Sequence, residues 1–125
     1  MTAAKRISVQ SVTASDIPTA QTLAGLYESV GWTIYSADPE KLERAVHASL
    51  RVCVARMSDD TGEHLVGLAR AVGDGETIVY VQDILVAPSA RRMGVGKRLI
   101  ECLLEPFTDV RQTCLLYTSP SPRDS

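Results

Sequence analysis

The stretch Ile84-Leu85-Val86-Ala87-Pro88-Ser89-Ala90-Arg91-Arg92-Met93-Gly94-Val95-Gly96-Lys97 decides how the rest of the chain is read. It begins as an apolar strand, is stopped by Pro88, passes through a glycine-containing turn and enters a helical pattern in which Leu99, Ile100, Leu103 and Leu104 share one side. A strand that delivers a turn into a helix N-terminus is suited to binding phosphate. The first helical turn leaves backbone N–H groups without partners, and the helix dipole adds about half a positive charge there. Gly94 and Gly96 allow close approach of an anion to the backbone, and Arg91, Arg92 and Lys97 add positive charge. A glycine-rich turn alone is weak evidence, because an ordinary helix start with solvated basic residues has the same composition.

Working outward toward the N-terminus, Thr77–Val86 is predicted to be a long central strand covered on both faces, preceded by the tight connection Gly73-Asp74-Gly75. Two further strands are expected, one around Val52 and Val54 and one over Leu65–Val72, joined through the turn Ser58-Asp59-Asp60-Thr61-Gly62. Ahead of them, Ile7 to Val12 reads as a first strand. Ser15-Asp16-Ile17-Pro18 reads as the start of a helix running to about Val30, with Gly31 as terminator. A second helix begins at Asp38-Pro39 and carries Leu42, Ala45, Val46 and Leu50 on one face, and Trp32-Thr33-Ile34-Tyr35 forms an aromatic loop between the two. Toward the C-terminus the helix Arg92–Glu105 closes at Pro106, and Arg111 to about Leu116 forms one more strand. The order of strand, two helices, three strands, helix and strand defines a mixed α/β (α+β) sheet protein with one core.

Composition narrows the function classes. The 125 residues carry a net charge of −2 with acids and bases interspersed, which provides no electrostatic footprint for nucleic acid. No apolar run approaches the roughly 18 residues needed to span a bilayer, and no secretory leader is visible, so a cytoplasmic protein is expected. Cys53, Cys102 and Cys114 are far apart in sequence and odd in number, which suggests reduced, mostly buried thiols rather than a disulfide framework or a zinc site. His47 and His64 stand apart without partners at ligand spacing, so no metal is expected.

Arg91-Arg92-Met93-Gly94-Val95-Gly96 resembles the Q/R-x-x-G-x-G/A acetyl-CoA signature of GNAT N-acetyltransferases, and Val86 with Pro88 resembles the V-x-P approach to it. The element order is similar to that family's from its first strand through its fifth, over about residues 5–113. The resemblance implies a GNAT acyl-CoA N-acyltransferase fold over residues 1–113, with acetyl-CoA as cosubstrate. Amides from Arg92 through Gly96 would hold the pyrophosphate, with Arg91 and Lys97 beside them. The main chain near Leu85 and Val86 would pair with the pantetheine arm, on an edge exposed where the fourth and fifth strands splay apart. A backbone N–H near Leu85 would serve the oxyanion.

The reaction implied is direct attack of a neutral amine, on a small molecule or a protein, upon the thioester. Many relatives use a fourth-strand carboxylate as base. The corresponding position here is Tyr80, with Asp83 nearby, and a structural hydrogen-bonding carboxylate is as good a reading of Asp83. Trp32 and Tyr35 are expected to line the acceptor pocket, or to be core. Many relatives dimerise, so a homodimer is expected. The alternative function is a CoA-binding module without catalysis. A third possibility is a purely structural domain. The last stretch, residues 114–125, departs from the family, which continues with a helix bearing an acid tyrosine and two more strands. Cys114 to Asp124 resembles a translated sequencing adapter instead, so a non-native tail is expected, Tyr117 is not assigned as the acid, and poor stability follows.

Overall fold

A computed structural model describes residues 5–109 and the backbone of 112–115. Five strands form one sheet in the order β1 (Arg6–Val12), β2 (Arg51–Asp59), β3 (Gly62–Gly73), β4 (Ile78–Val86) and β5 (Gln112–Leu115). The first four pair antiparallel and β5 pairs parallel to β4. The helices are α1 (Ala20–Ser29), the short α2 (Thr33–Ser36), α3 (Pro39–His47) and α4 (Val95–Leu104). α4 packs across β1 to β4, and α1 and α3 pack on one another, with α1 also against β3. The mixed α/β architecture expected from the element order is the one observed.

Several boundaries differ from the sequence reading, each for a local reason. Ser15-Asp16 does not open a helix: Ala14–Asp16 is a single 3₁₀ turn, and Ile17 is extended at ψ 133°. The following Pro18 disfavours the helical region for the residue before it. α1 starts instead after Thr19, whose hydroxyl accepts from the Thr22 N–H at 3.3 Å. The second helix does use Asp38 as its cap, its carboxylate accepting from the Lys41 N–H at 3.3 Å, with Pro39 as first residue. It ends at His47, so Leu50 lies outside it, and the Leu50 N–H donates to the Ala71 carbonyl at 2.8 Å. The aromatic loop contains a helical turn, α2.

The strand covered on both faces is β3, not the expected Thr77–Val86. Residues Val66 to Ala71 are buried without interruption, because β3 is the middle strand of five. In β4 the residues Val79, Val81, Asp83 and Leu85 are buried while their alternates are half-buried. The sheet is closely built where α4 crosses it: a Cβ added at Gly67 would lie 3.0 Å from Leu99 Cδ1 and 3.2 Å from Ala55 Cβ. Glycine at that position lets the helix seat directly on the strand. The expected strand at 111–116 is present as β5, whereas Arg111, Leu116 and the remainder of the tail, Tyr117 included, lie outside the described residues.

Candidate active site

Two register irregularities shape β4 and its surroundings. Arg70 faces Asp83 but the next residue, Ala71, faces Val81, so β4 carries an extra residue, Gln82, at this point. In β3 the extra residue is Val66, since Ala55 faces Gly67 and Arg56 faces Leu65. Among the described residues β5 pairs with β4 over Ile78 to Val81. From Gln82 to Val86, therefore, β4 has a strand partner on the β3 side alone among the described residues.

The pleat fixes which backbone groups reach the edge opposite β3. The Ala87 N–H donates to the Val66 carbonyl of β3 at 2.7 Å, and the Leu85 carbonyl lies 3.2 Å from the Cβ position of Gly67, also in β3. Alternation along the strand then turns the polar backbone groups of Ile84 and Val86 toward the edge opposite β3, and those of Leu85 toward β3. Of the two residues expected to pair with a ligand's arm, Val86 presents its main chain there. Leu85 contributes a buried side chain instead.

Beyond Val86 the chain makes a 3₁₀ turn, Pro88–Ala90, and then curls through Arg91 to Gly94 into α4. The helix begins at Val95 rather than at Arg92, because Arg92 (φ 67°) and Gly94 (φ 74°) both have left-handed backbone that cannot continue a helix. Arg92 is the described non-glycine residue with positive φ, a costly conformation for an L side chain that persists where the surroundings impose it. Gly94 is the N-cap of α4 and no side chain caps the helix; around its missing Cβ nothing lies within 4 Å. There is open space beside the Gly94 Cα at the start of α4. Arg92, Met93 and Lys97 are exposed around it, Arg91 and Gly96 are half-buried, and Val95 anchors the turn in the core.

The two candidate proton-transfer residues occupy different environments. Tyr80 is half-buried on β4. Asp83 is 2% exposed, and its Oδ2 accepts from the Tyr27 hydroxyl at 2.8 Å and from Arg70 Nε. Arg70 is itself buried, and its Nη1 donates to Ser49 Oγ at 3.3 Å. Burial pushes the Tyr27 phenol well above its ordinary range, and the neighbouring Asp83 charge pushes the same way. Burial works against the Arg70 guanidinium, but the Asp83 carboxylate outweighs it and the net direction is upward. The arrangement is a closed network of donors around one carboxylate, the structural alternative recognised for Asp83. Tyr27, Arg70 and Ser49 were not singled out from sequence, because only the fold brings them to Asp83. The one available hint was an arginine in an otherwise apolar strand.

Trp32 and Tyr35 come together, with ring centroids 5.9 Å apart, and both stack on buried Tyr27 at 5.7 and 5.2 Å. Each is half-buried, so each packs against the core and keeps an exposed edge. Among the described residues no group of three or more His, Cys, Asp or Glu side chains could hold a metal ion, and no helix is long and apolar enough to cross a membrane.

A mixed five-stranded sheet with a bulge in β4, followed by a left-handed turn into an uncapped helix start, matches an acyltransferase fold of the GNAT type. The chain belongs to the acetyltransferase (GNAT) family, whose model matches residues 17–120. A GNAT-family acetyltransferase of Streptococcus pneumoniae TIGR4 is 33% identical over 94% of this chain and 80% of its own, with a TM-score of 0.72. The aminoglycoside acetyltransferase AAC(6′)-Iy, solved with a bisubstrate analogue of CoA and acetylneamine, shares the fold at 22% identity and a TM-score of 0.59, covering 94% of this chain and 82% of its own. An aminoglycoside acetyltransferase from an uncultured soil metagenomic sample, solved with sisomicin, shares it at 17% identity and a TM-score of 0.59, covering 92% and 78%. No curated protein sequence gives a significant match.

Proposed function

We propose that this chain is an N-acetyltransferase that uses acetyl-CoA as acyl donor and a primary amine, on a small molecule or a protein, as acceptor. The observation that carries the proposal is the left-handed turn at Arg92 and Gly94 running into the uncapped start of α4, beside a stretch of β4 that has a strand partner on the β3 side alone among the described residues. The residues present fit the donor: the amides of Arg92 through Gly96 suit a pyrophosphate, and Arg91, Arg92 and Lys97 supply positive charge. The main-chain groups of Val86 and Ile84 suit an amide-bearing arm laid along the open edge. Solved neighbours that carry a CoA analogue or an aminoglycoside support the same reading, as does the family.

In the proposed reaction a neutral amine attacks the thioester carbonyl, a C–N bond forms, the C–S bond breaks, and the amine proton must leave. A main-chain N–H on the open edge of β4, at Ile84 or Val86, faces the developing oxyanion. Tyr80, whose hydroxyl both donates and accepts, relays the amine proton to water, and Asp83 holds the Tyr27–Arg70 network that fixes β4 at its bulge. The exposed edges of Trp32 and Tyr35 receive the acceptor, and their π faces favour a cationic amine on approach. The two free thiols of the described residues suit a reducing compartment, and the proposal places the enzyme in the cytoplasm.

Calorimetric titration with acetyl-CoA tests the donor site. The wild-type chain is expected to bind and Gly94→Glu to lose binding, since it adds a negative charge and a strained side chain where the anion sits. Equal binding by both would overturn the site. Thiol release with a panel of amines, including aminoglycosides and lysine peptides, tests the reaction. Binding without release over the whole panel would favour a non-catalytic CoA-binding module.

A further inference from the structure

Cys53 and Cys102, 49 residues apart in the chain, bring their sulfur atoms to 2.9 Å of each other. Cys53 lies on β2 with no exposure, while Cys102 lies half-buried on α4, so only the second is open to a reagent. Arg51, two residues before Cys53 and therefore on the same side of β2, donates to the Cys102 carbonyl from Nε at 3.3 Å and Nη2 at 2.9 Å. Its Nη2 lies 4.0 Å from Cys102 Sγ. The pair thus combines contact, graded access and a cation beside the accessible sulfur, the features that select a reactive thiol and a resolving one.

We propose that Cys53 and Cys102 form a reversible intramolecular disulfide by exchange with a low-molecular-weight disulfide, stapling α4 to β2. The proposal is independent of the acetyltransferase reading. The Cys102 thiolate attacks one sulfur of the small disulfide, and the other sulfur leaves as a thiolate. That thiolate takes the Cys53 proton. Cys53 then attacks Cys102 Sγ, the mixed disulfide breaks, and a second small thiolate leaves. Two protein thiols are oxidised to one disulfide and one small disulfide is reduced to two thiols. Closing the 2.9 Å gap to the roughly 2.05 Å of a disulfide asks for a shift of under about 1 Å, within the play of a side-chain rotation. In the resting protein Cys53 is a poor nucleophile: burial pushes its thiol up to about 12, and the hydrogen bond and charge of Cys102 push further in the same direction while Arg51 opposes them. Capping Cys102 as a mixed disulfide removes its charge, so the first step prepares the second.

The test uses the whole folded chain carrying Cys114→Ser, treated with oxidised glutathione and read by intact mass and peptide mapping. The expected product has lost two thiols, holds no glutathione, and yields one cross-linked peptide pair containing Cys53 and Cys102. Its melting temperature rises by roughly 10 °C and returns on reduction. Adding Cys53→Ser should leave a stable glutathione adduct on Cys102, and adding Cys102→Ser should leave neither adduct nor bridge; if Cys53→Ser does not fold, Cys53→Ala supplies that arm. A lasting glutathione adduct on Cys102 beside a free Cys53, or a bridge that forms only in denaturant, would overturn the proposal, as would a folded protein that does not react.

Discussion

Replacing Asp83 by asparagine separates the two roles open to this residue. Asparagine keeps the shape and can still accept from the Tyr27 hydroxyl or from Arg70, but it leaves a guanidinium that is 7% exposed without its counter-charge. Removing one member of a buried ion pair costs about 3–5 kcal/mol, because the remaining charge stays desolvated. A domain of this size holds only about 5–15 kcal/mol in total and loses about 4 °C of melting temperature per kcal/mol. Asp83→Asn should therefore melt roughly 12–20 °C below the parent. Tyr27→Phe removes one donor while the Arg70–Asp83 pair remains, and should cost only about 1–2 kcal/mol. The double change Arg70→Met with Asp83→Leu removes both charges and should recover most of the loss. Thermal unfolding followed by circular dichroism, with acetyl-transfer rates measured alongside, gives the answer. If Asp83→Asn melts within about 4 °C of the parent yet turnover collapses, the carboxylate acts on the substrate and the structural argument is wrong.

Three other outcomes follow from the geometry. Gly67→Val should destabilise by about 2–3 kcal/mol in chemical denaturation, since its side chain would enter the space of Leu99, Ala55 and the Leu85 carbonyl; a neutral result would mean that α4 does not sit on β3. Gly94→Ala should lower stability by only about 1 kcal/mol, because there is room for a methyl group but the backbone is left-handed, and should weaken acetyl-CoA binding less than Gly94→Glu, as calorimetry can rank. The raised phenol of Tyr27 sets an alkaline limit: its folded value lies above its unfolded one, so its contribution is full below about pH 10 and is lost as pH rises through the folded value. Phenolate absorbance should show this one tyrosine titrating with unfolding, and a parent no more alkali-sensitive than Tyr27→Phe would contradict the burial.

What could be read from the sequence was what short-range chemistry controls. Asp38-Pro39 specified the start of α3, Gly73-Asp74-Gly75 specified a turn, and the continuous apolar run of the β4 stretch specified a strand; the structure retains all three. The errors arose where a distant or neighbouring constraint prevailed. Pro18 reads as a helix opener, yet its steric demand on Ile17 delays α1 to Thr19. Double coverage was assigned to β4 from its apolar run, but coverage depends on position in the sheet, and the central place belongs to β3.

The site divides along the same line. The turn ahead of α4 was legible because it is encoded in contiguous residues, with a glycine at the position that takes φ near 74°. The buried network was not, because Tyr27, Ser49, Arg70 and Asp83 are gathered from four separate parts of the chain. The same reasoning explains the cysteines: distance along the chain suggested isolated thiols, whereas β2 and α4 bring two of them into contact. α4 is the element common to these features. Its first residue follows the left-handed turn, its middle seats on Gly67 through Leu99, Arg98 reaches the Ile7 carbonyl of β1, and Cys102 meets both Arg51 and Cys53 of β2. A helix tied to the sheet at so many points holds its N-terminal amides in place before any ligand arrives. Loosening one tie, as with Arg98→Ala, should then reduce acetyl-CoA affinity only slightly, and a loss as large as that of Gly94→Glu would mean that this single tie, rather than the whole set, positions the helix start.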